Sequence, residues 1–156
     1  EDSTWCWENF INSRSMKSVS NVRGQLVNQM NGLGYKIELS AKRPKEYLNR
    51  IKMSIVSAFF MQVAHQERGD RYMTVKDNQS VLIHPSTAIE HKPEWVLYHE
   101  FVLTSKNYIR TVSEINPKWL LKLAPDYYDL DEFSNNDIKK KLMKIQKELR
   151  NSTDDE

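Results

Sequence analysis

Four consecutive polar residues, Thr104-Ser105-Lys106-Asn107, interrupt an otherwise apolar and aromatic stretch, FVLTSKNYIR. Two hydroxyls, an ammonium and an amide in a row suit hydrogen bonding to phosphate oxygens, which holds a nucleic-acid backbone without reading its bases. The same residues also make an ordinary solvated turn, with the serine and asparagine bonding to their own backbone. Two further positions pose the same choice. Lys76, in TVKDNQ, sits where a strand meets a turn; it either reaches a phosphate or stays in water. Ser86, in HPST, follows a bend fixed by Pro85; it either donates to a phosphate or caps the turn. Arg110 is expected to pair with Glu100 on a neighbouring strand. Tyr108 is expected to pack inside, the alternative being a base stacked on its ring.

Chemistry beyond binding lacks the residues it needs. The chain has 4 glycines, and none opens a strand-to-helix phosphate loop. There is no Walker lysine. His65, His84, His91 and His99 show no metal-ligand spacing, and His99-Glu100 lacks the second histidine of a zinc-protease motif. No nucleophile stands beside a recognisable base, and the acidic pair Asp154-Asp155 belongs to a solvated tail. No catalytic, cofactor-binding or metal site is expected, which leaves a binding or regulatory module.

Composition adds bounds. The 156 residues suffice for one domain or two small ones with a real core. Charged residues are 28% and hydrophobic ones 39%, an ordinary globular balance. No apolar run approaches the roughly 18 residues of a membrane-spanning helix, and no membrane partner is expected. The net charge of +2 is spread evenly: 10 basic and 7 acidic residues over 1–70, 5 and 5 over 71–115, 8 and 9 over 116–156. A nucleic-acid site here must therefore come from placement of a few groups, not from a polycationic tail. The single Cys6 fits a reducing compartment and reads as a buried thiol beside Trp5 and Trp7.

The elements that must position these residues follow from periodicity. Ser3 or Thr4 caps a short helix carrying Trp5, Phe10 and Ile11. Val19, Val22, Leu26 and Met30 form one helical stripe, stopped by Gly32 and Gly34. KEYLNRIKMSIVSAFFMQVAH reads as a third helix, with Leu48, Ile51, Ile55, Phe59 and Val63 on one face and so many flanking apolar residues that most sides should be buried. QERGDR breaks it at Gly69. YMTVK and SVLIHP then make one hairpin around DNQ, and EWVLYHEFVLT with NYIRTVSEI make a second, hinged at Ser105-Lys106. Four short strands suggest a small antiparallel barrel or sheet. NPKWLLKLAP reads as a short helix with Asn116 as cap, Pro117 at its first position, and Trp119, Leu120 and Leu123 as its apolar face. Trp95, Trp119, Tyr127 and Tyr128 are expected in core and packing positions. Ser134-x-x-Asp137 resembles a capping box before a last helix, whose stripe is Ile138, Leu142, Ile145 and Leu149.

At this point the residues carry a resemblance. FMQVAHQ, YMTVKDNQSVLIHPST and HKPEWVLYHEFVLTSKNYIRTVSEINPKWLLKLAPDYYDL resemble the C-terminal region of DEAH-box RNA helicases of the pre-mRNA-splicing and ribosome-biogenesis type. The resemblance spans Trp5 to about Leu149 and is most specific from Tyr72 to Tyr128. It implies an α+β chain: an N-terminal helical, ratchet-type segment (1–69), a small antiparallel barrel of oligonucleotide-binding (OB) type (70–128), a C-terminal helix (129–150) and a disordered tail (151–156). The chain lacks an initial Met and opens on helix-like sequence, as expected of a piece cut downstream of two RecA-like ATPase domains.

The implied role is that of an auxiliary helicase module, acting in spliceosome disassembly in the nucleus. It would bind single-stranded RNA non-specifically and regulate the ATPase core. Thr104, Ser105, Lys106 and Asn107 would meet the RNA, with Lys76 and Ser86 as further contacts. ATP and Mg would belong to the parent enzyme, whose RecA-like domains are partners in cis. Glycine-rich-motif (G-patch) activators would bind mainly outside this chain. The alternative is a protein-interaction module, docking a partner through the barrel surface or the lysine-rich face from Lys139 to Lys147.

Overall fold

The structure, a computed structural model, describes residues 3–36, 44–133 and 137–153. The chain divides into two compact units, Glu1–Arg43 and Pro44–Glu156. In the first, helix α1 (Ser3–Glu8) buries Cys6 as expected, while Phe10 lies beyond the helix and is fully exposed. Helix α2 (Ser13–Gly32) starts on Asn12, whose side chain accepts the Ser15 amide at 3.0 Å. It ends in a Schellman motif: Tyr35 N–H bonds Met30 O, Gly34 N–H bonds Asn31 O, and Gly34 takes φ +80°. Only glycine adopts that conformation cheaply. The stripe of Val19, Val22, Leu26 and Met30 forms, yet all four are exposed.

The second unit is built on a closed five-stranded barrel. Its strands are β1 (Val63–Gln66), β2 (Arg71–Thr74), β3 (Ser80–Ile83), β4 (Trp95–Leu103) and β5 (Asn107–Glu114). They close in the order β1-β2-β3-β5-β4. Every neighbour is antiparallel except β3 and β5, whose parallel pairing of Leu82 with Tyr108 and Ile83 with Ile109 shuts the barrel. Both expected hairpins form. The fifth strand is a correction: the third helix, expected to reach His65, stops at Phe59 as α3 (Pro44–Phe59). Val63-Ala64-His65 are instead buried strand residues, pairing β2 on one side and β4 on the other. A strand buried on both faces has no period-2 signature, and its apolar run continues the helical pattern without a visible break.

Strand alternation sorts the core into two layers. Ala64, Tyr72, Val81, Val96, Tyr98 and Ile109 fill the barrel interior. Val63, Trp95 and Leu97, on the outer side of β1 and β4, pack under the helices with Val56, Leu120, Tyr128 and Leu142. The covering elements are α3, α4 (Lys118–Leu123), a 3-10 turn (Leu130–Glu132) and α5 (Asp137–Thr153). Asn116 Oδ1 accepts the Lys118 amide at 3.0 Å at the start of α4.

Helix α3 is not buried on most sides. It commits Ile55, Val56 and Phe59 to the core, with Phe60 just beyond its end, whereas Leu48 and Ile51 stay exposed; its main neighbours are α4 and β4. The expected aromatic set does pack here: Trp95 and Tyr128 are buried, and Trp119 and Tyr127 lie against the same cluster. On α5, Ile138 and Leu142 are buried as the stripe predicts. The helix runs through Thr153, so residues 151–153 are helical and not a loose tail; no glycine or proline stops them. Ser134 of the expected capping box and residues 154–156 lie outside the described residues.

Candidate nucleic-acid interface

The helices cover the outer side of β1 and of the first part of β4. Met73 on β2 also packs against the cluster under these helices, whereas Arg71, Ser80, Arg110 and Thr111 and the far end of the β4–β5 hairpin are exposed. Beyond the Val63–His65 pairing with Trp95–Leu97, β4 has no second strand neighbour, and it continues with β5 through Glu100↔Arg110 to Leu103↔Asn107. Phe101 and Leu103 are exposed on this projecting ribbon. Glu100 and Arg110 pair across it, Arg110 Nε lying 2.8 Å from the carboxylate, as expected.

Thr104-Ser105-Lys106 form the tip. The Thr104 amide donates to Lys106 O at 3.0 Å, and the Thr104 hydroxyl donates to the same carbonyl at 3.2 Å. That hydroxyl also accepts the Lys106 amide at 3.4 Å. Thr104 is thus an internal brace. Ser105 and Lys106 are exposed, and their side chains have no intramolecular partner among the described residues. Asn107 is half-buried as the first residue of β5, opposite Leu103.

The other two phosphate candidates are engaged elsewhere. Lys76 Nζ donates to Tyr127 O at 3.0 Å and lies over the rings of Tyr127 and Phe133, at 4.9 and 4.7 Å from their centroids. The strand ends at Thr74, not at Lys76, and the lysine turns back over the aromatic cluster. Ser86 satisfies His84: its hydroxyl lies 2.7 Å from His84 Nδ1 and its amide donates to the same nitrogen at 3.1 Å. The amide bond makes Nδ1 an acceptor, which places the neutral ring's proton on Nε2. The Ser86 hydroxyl caps no backbone group; the His84 ring accepts the Ser86 amide, and the Thr87 amide donates to His84 O at 2.9 Å. Tyr108 is also corrected. Ile109 points into the barrel, so Tyr108 stands on the outside, half-buried and edge-to-face with His84 at 5.4 Å between centroids.

Sequence reasoning missed a polar cluster that ties α5 to the barrel. His65, on the outer side of β1, is buried against Trp95. Its Nε2 lies 2.8 Å from Lys141 Nζ, and Lys141 also bonds Glu94 at 2.7 Å. A charged Lys141 makes Nε2 an acceptor and leaves Nδ1–H to face Glu67 at 3.4 Å. The hydrogen bond from Lys141 holds the Glu94 carboxyl below its ordinary value of 4.5 despite desolvation by burial.

A carboxylate whose folded pKa is depressed contributes stability above its unfolded pKa and loses it as pH falls through the folded one. Denaturant titrations should therefore show stability falling below pH 4.5, and Glu94→Gln should flatten part of that acid limb. The effect is about 0.5 kcal/mol, since Glu94 is largely solvent-screened. An unchanged acid limb in the variant would detach Glu94 from it.

Among the described residues no cluster of histidine, cysteine and acidic side chains has metal-binding geometry, and no helix is long and apolar enough to cross a membrane. Residues 51–127 match the family model of the oligonucleotide/oligosaccharide-binding (OB)-fold. That domain is found in the C-terminal region of DEAH-box helicases. The matched span begins inside α3 and contains the whole barrel, so it covers β1, which periodicity assigned to a helix.

Proposed function

Starting from an OB-fold domain at residues 51–127, we propose that the chain is an auxiliary module of a DEAH-box RNA helicase, holding the backbone of single-stranded RNA at the β4–β5 tip without reading its sequence. One observation carries this: the tip projects past the barrel with Ser105 and Lys106 exposed and uncommitted, while Thr104 fixes the loop from within. A hydroxyl and an ammonium on a braced loop supply phosphate contacts at low ordering cost. The nuclear setting, spliceosome disassembly and ribosome biogenesis rest on the resemblance of Tyr72 to Tyr128. So do the parent's ATP, Mg and RecA-like domains, and G-patch activators bound mainly outside this chain. The exposed stripe of α2 suits a helix that docks on the parent's other domains.

The protein-docking alternative through the lysine face of α5 is weaker. Lys139 bonds Phe133 O, Lys140 pairs with Asp137, and Lys141 is held by Glu94 and His65.

Fluorescence anisotropy of a labelled oligouridylate tests the proposal. Binding should be weak at low salt and fall as salt rises. Lys106→Glu should weaken it about tenfold and reduce the log–log salt slope by about 0.7, the loss of one phosphate contact. Unaltered affinity and slope in this variant would remove the tip from RNA binding. No detectable binding even at low salt would leave the protein-docking reading standing.

A further inference from the structure

The projecting β4–β5 ribbon carries a free strand edge. The His84 amide donates to Ile109 O at 2.9 Å, so the peptide groups of Ile109 turn toward β3. Those of Tyr108 and Arg110 turn toward β4, where they face Val102 and Glu100. The peptide groups of Phe101 and Leu103 therefore lie on the far edge of β4. Nothing described covers them there: the last backbone link on that side is Tyr98 N–H to Gln62 O, at 3.0 Å. From this edge we infer a protein-docking site, at which an extended segment of a partner chain adds to β4 as a further strand along Phe101 to Leu103. The inference stands apart from the RNA reading and from the lysine face of α5.

Three observations converge. First, the edge lacks the usual protection. Solitary edges are shielded by charge, by proline or by a covering element. Phe101-Val102-Leu103 contains no charge and no proline, and its residue types favour strands. The edge is also preformed, because pairing with β5 from Glu100↔Arg110 to Leu103↔Asn107 holds the ribbon extended. An incoming segment orders only itself.

Second, apolar surface lies along the edge. Phe101 is 40% exposed and Leu103 74%, and Met61, beside the Gln62 that ends the backbone links, is exposed too. Alternate side chains of an added strand cover such a row while its main chain pairs with β4. Third, charge selects the segment. Glu100 and Arg110 neutralise each other, which leaves Lys106 as the unpaired charge where the edge meets the tip. The fitting partner has β-branched residues over its centre and a carboxylate at the end that reaches Lys106. A nucleic-acid strand has no alternating N–H and C=O to match the edge. A second copy of β4 brings no free carboxylate, since its Glu100 is taken by Arg110.

The test uses the full chain and a short labelled peptide of alternating threonine and valine with aspartate at both ends. The wild-type chain should bind it, with the largest NMR shifts at the amides of Phe101 and Leu103. Methylating two adjacent central peptide nitrogens blocks one donor on each edge of the peptide and should weaken binding about tenfold. Leu103→Pro removes an outward N–H without touching the bonds to β5 and should weaken binding by a similar factor, whereas Leu103→Thr, which keeps that N–H, should lose less. Lys106→Glu should reverse the preference, so that a lysine-ended peptide binds more tightly than the aspartate-ended one.

No binding by wild type, binding indifferent to methylation, or shifts that avoid Phe101 and Leu103 would overturn the site. Dimerisation of the chain through this edge, undisturbed by the peptide, would assign the edge to a second copy and overturn it as well. The methylated peptide is read on the wild-type chain, so a Leu103→Pro chain that does not fold leaves the test decisive.

Discussion

Tyr128→Ala is expected to lower the unfolding free energy by about 3–5 kcal/mol, the largest single effect of any substitution considered. Tyr128 is 2% exposed, stacks on Phe133 with centroids 6.1 Å apart, and meets Tyr127 edge-on. Its hydroxyl donates to Phe60 O at 2.6 Å, which ties the chain after α4 to the residue that follows α3. Burial pushes the phenol pKa well up, so it remains a donor at any ordinary pH. Alanine removes the ring, leaves a cavity among Val56, Leu130 and Phe133, and orphans the Phe60 carbonyl. Tyr128→Phe isolates the last of these and should cost about 1–3 kcal/mol. Urea unfolding followed by circular dichroism measures both. A loss below about 1 kcal/mol for Tyr128→Ala would show that the aromatic cluster does not hold the helices on the barrel.

Leu142→Ala comes next, at about 2–5 kcal/mol. Leu142 is fully buried in the cluster that contains Trp95, Leu97 and Leu120, so it joins α5 to the outer side of the barrel. Unfolding should stay a single transition, because the same cluster serves α5 and the strands. Met143, one residue on, is half-exposed, and Met143→Ala should change stability by no more than about 0.5 kcal/mol. Melting of α5 alone in Leu142→Ala, with the barrel transition unmoved, would show that the helix is an appendage.

Where local chemistry decides the structure, the sequence was legible. The hinge at Ser105-Lys106, the Glu100–Arg110 pair and the glycine stop of α2 depend on near neighbours, and each forms as read. Where burial on two faces decides it, the sequence misled. Val63-Ala64-His65 continue an apolar helix pattern, yet they are the strand around which β2 and β4 assemble. A helix of more than twenty residues with no stop before Gly69 was the available warning.

Side-chain engagement was least legible. Lys76 looked free, but it bonds a carbonyl 51 residues away. His65 and Lys141, which meet at 2.8 Å, are 76 residues apart. Tyr108 was assigned inward because aromatics usually build cores; the alternation with Ile109 turns it outward, and that depends on which neighbour the barrel needs.

The central claim is that the β4–β5 tip holds single-stranded RNA by its backbone. Its most direct test is a residue-resolved NMR titration of the chain with two short RNA strands of unrelated sequence. The account predicts that the amides of Ser105, Lys106 and Asn107 shift with both strands, in the same direction and at similar affinity, and return on adding salt. Shifts absent from the tip, or present with one sequence only, would contradict it.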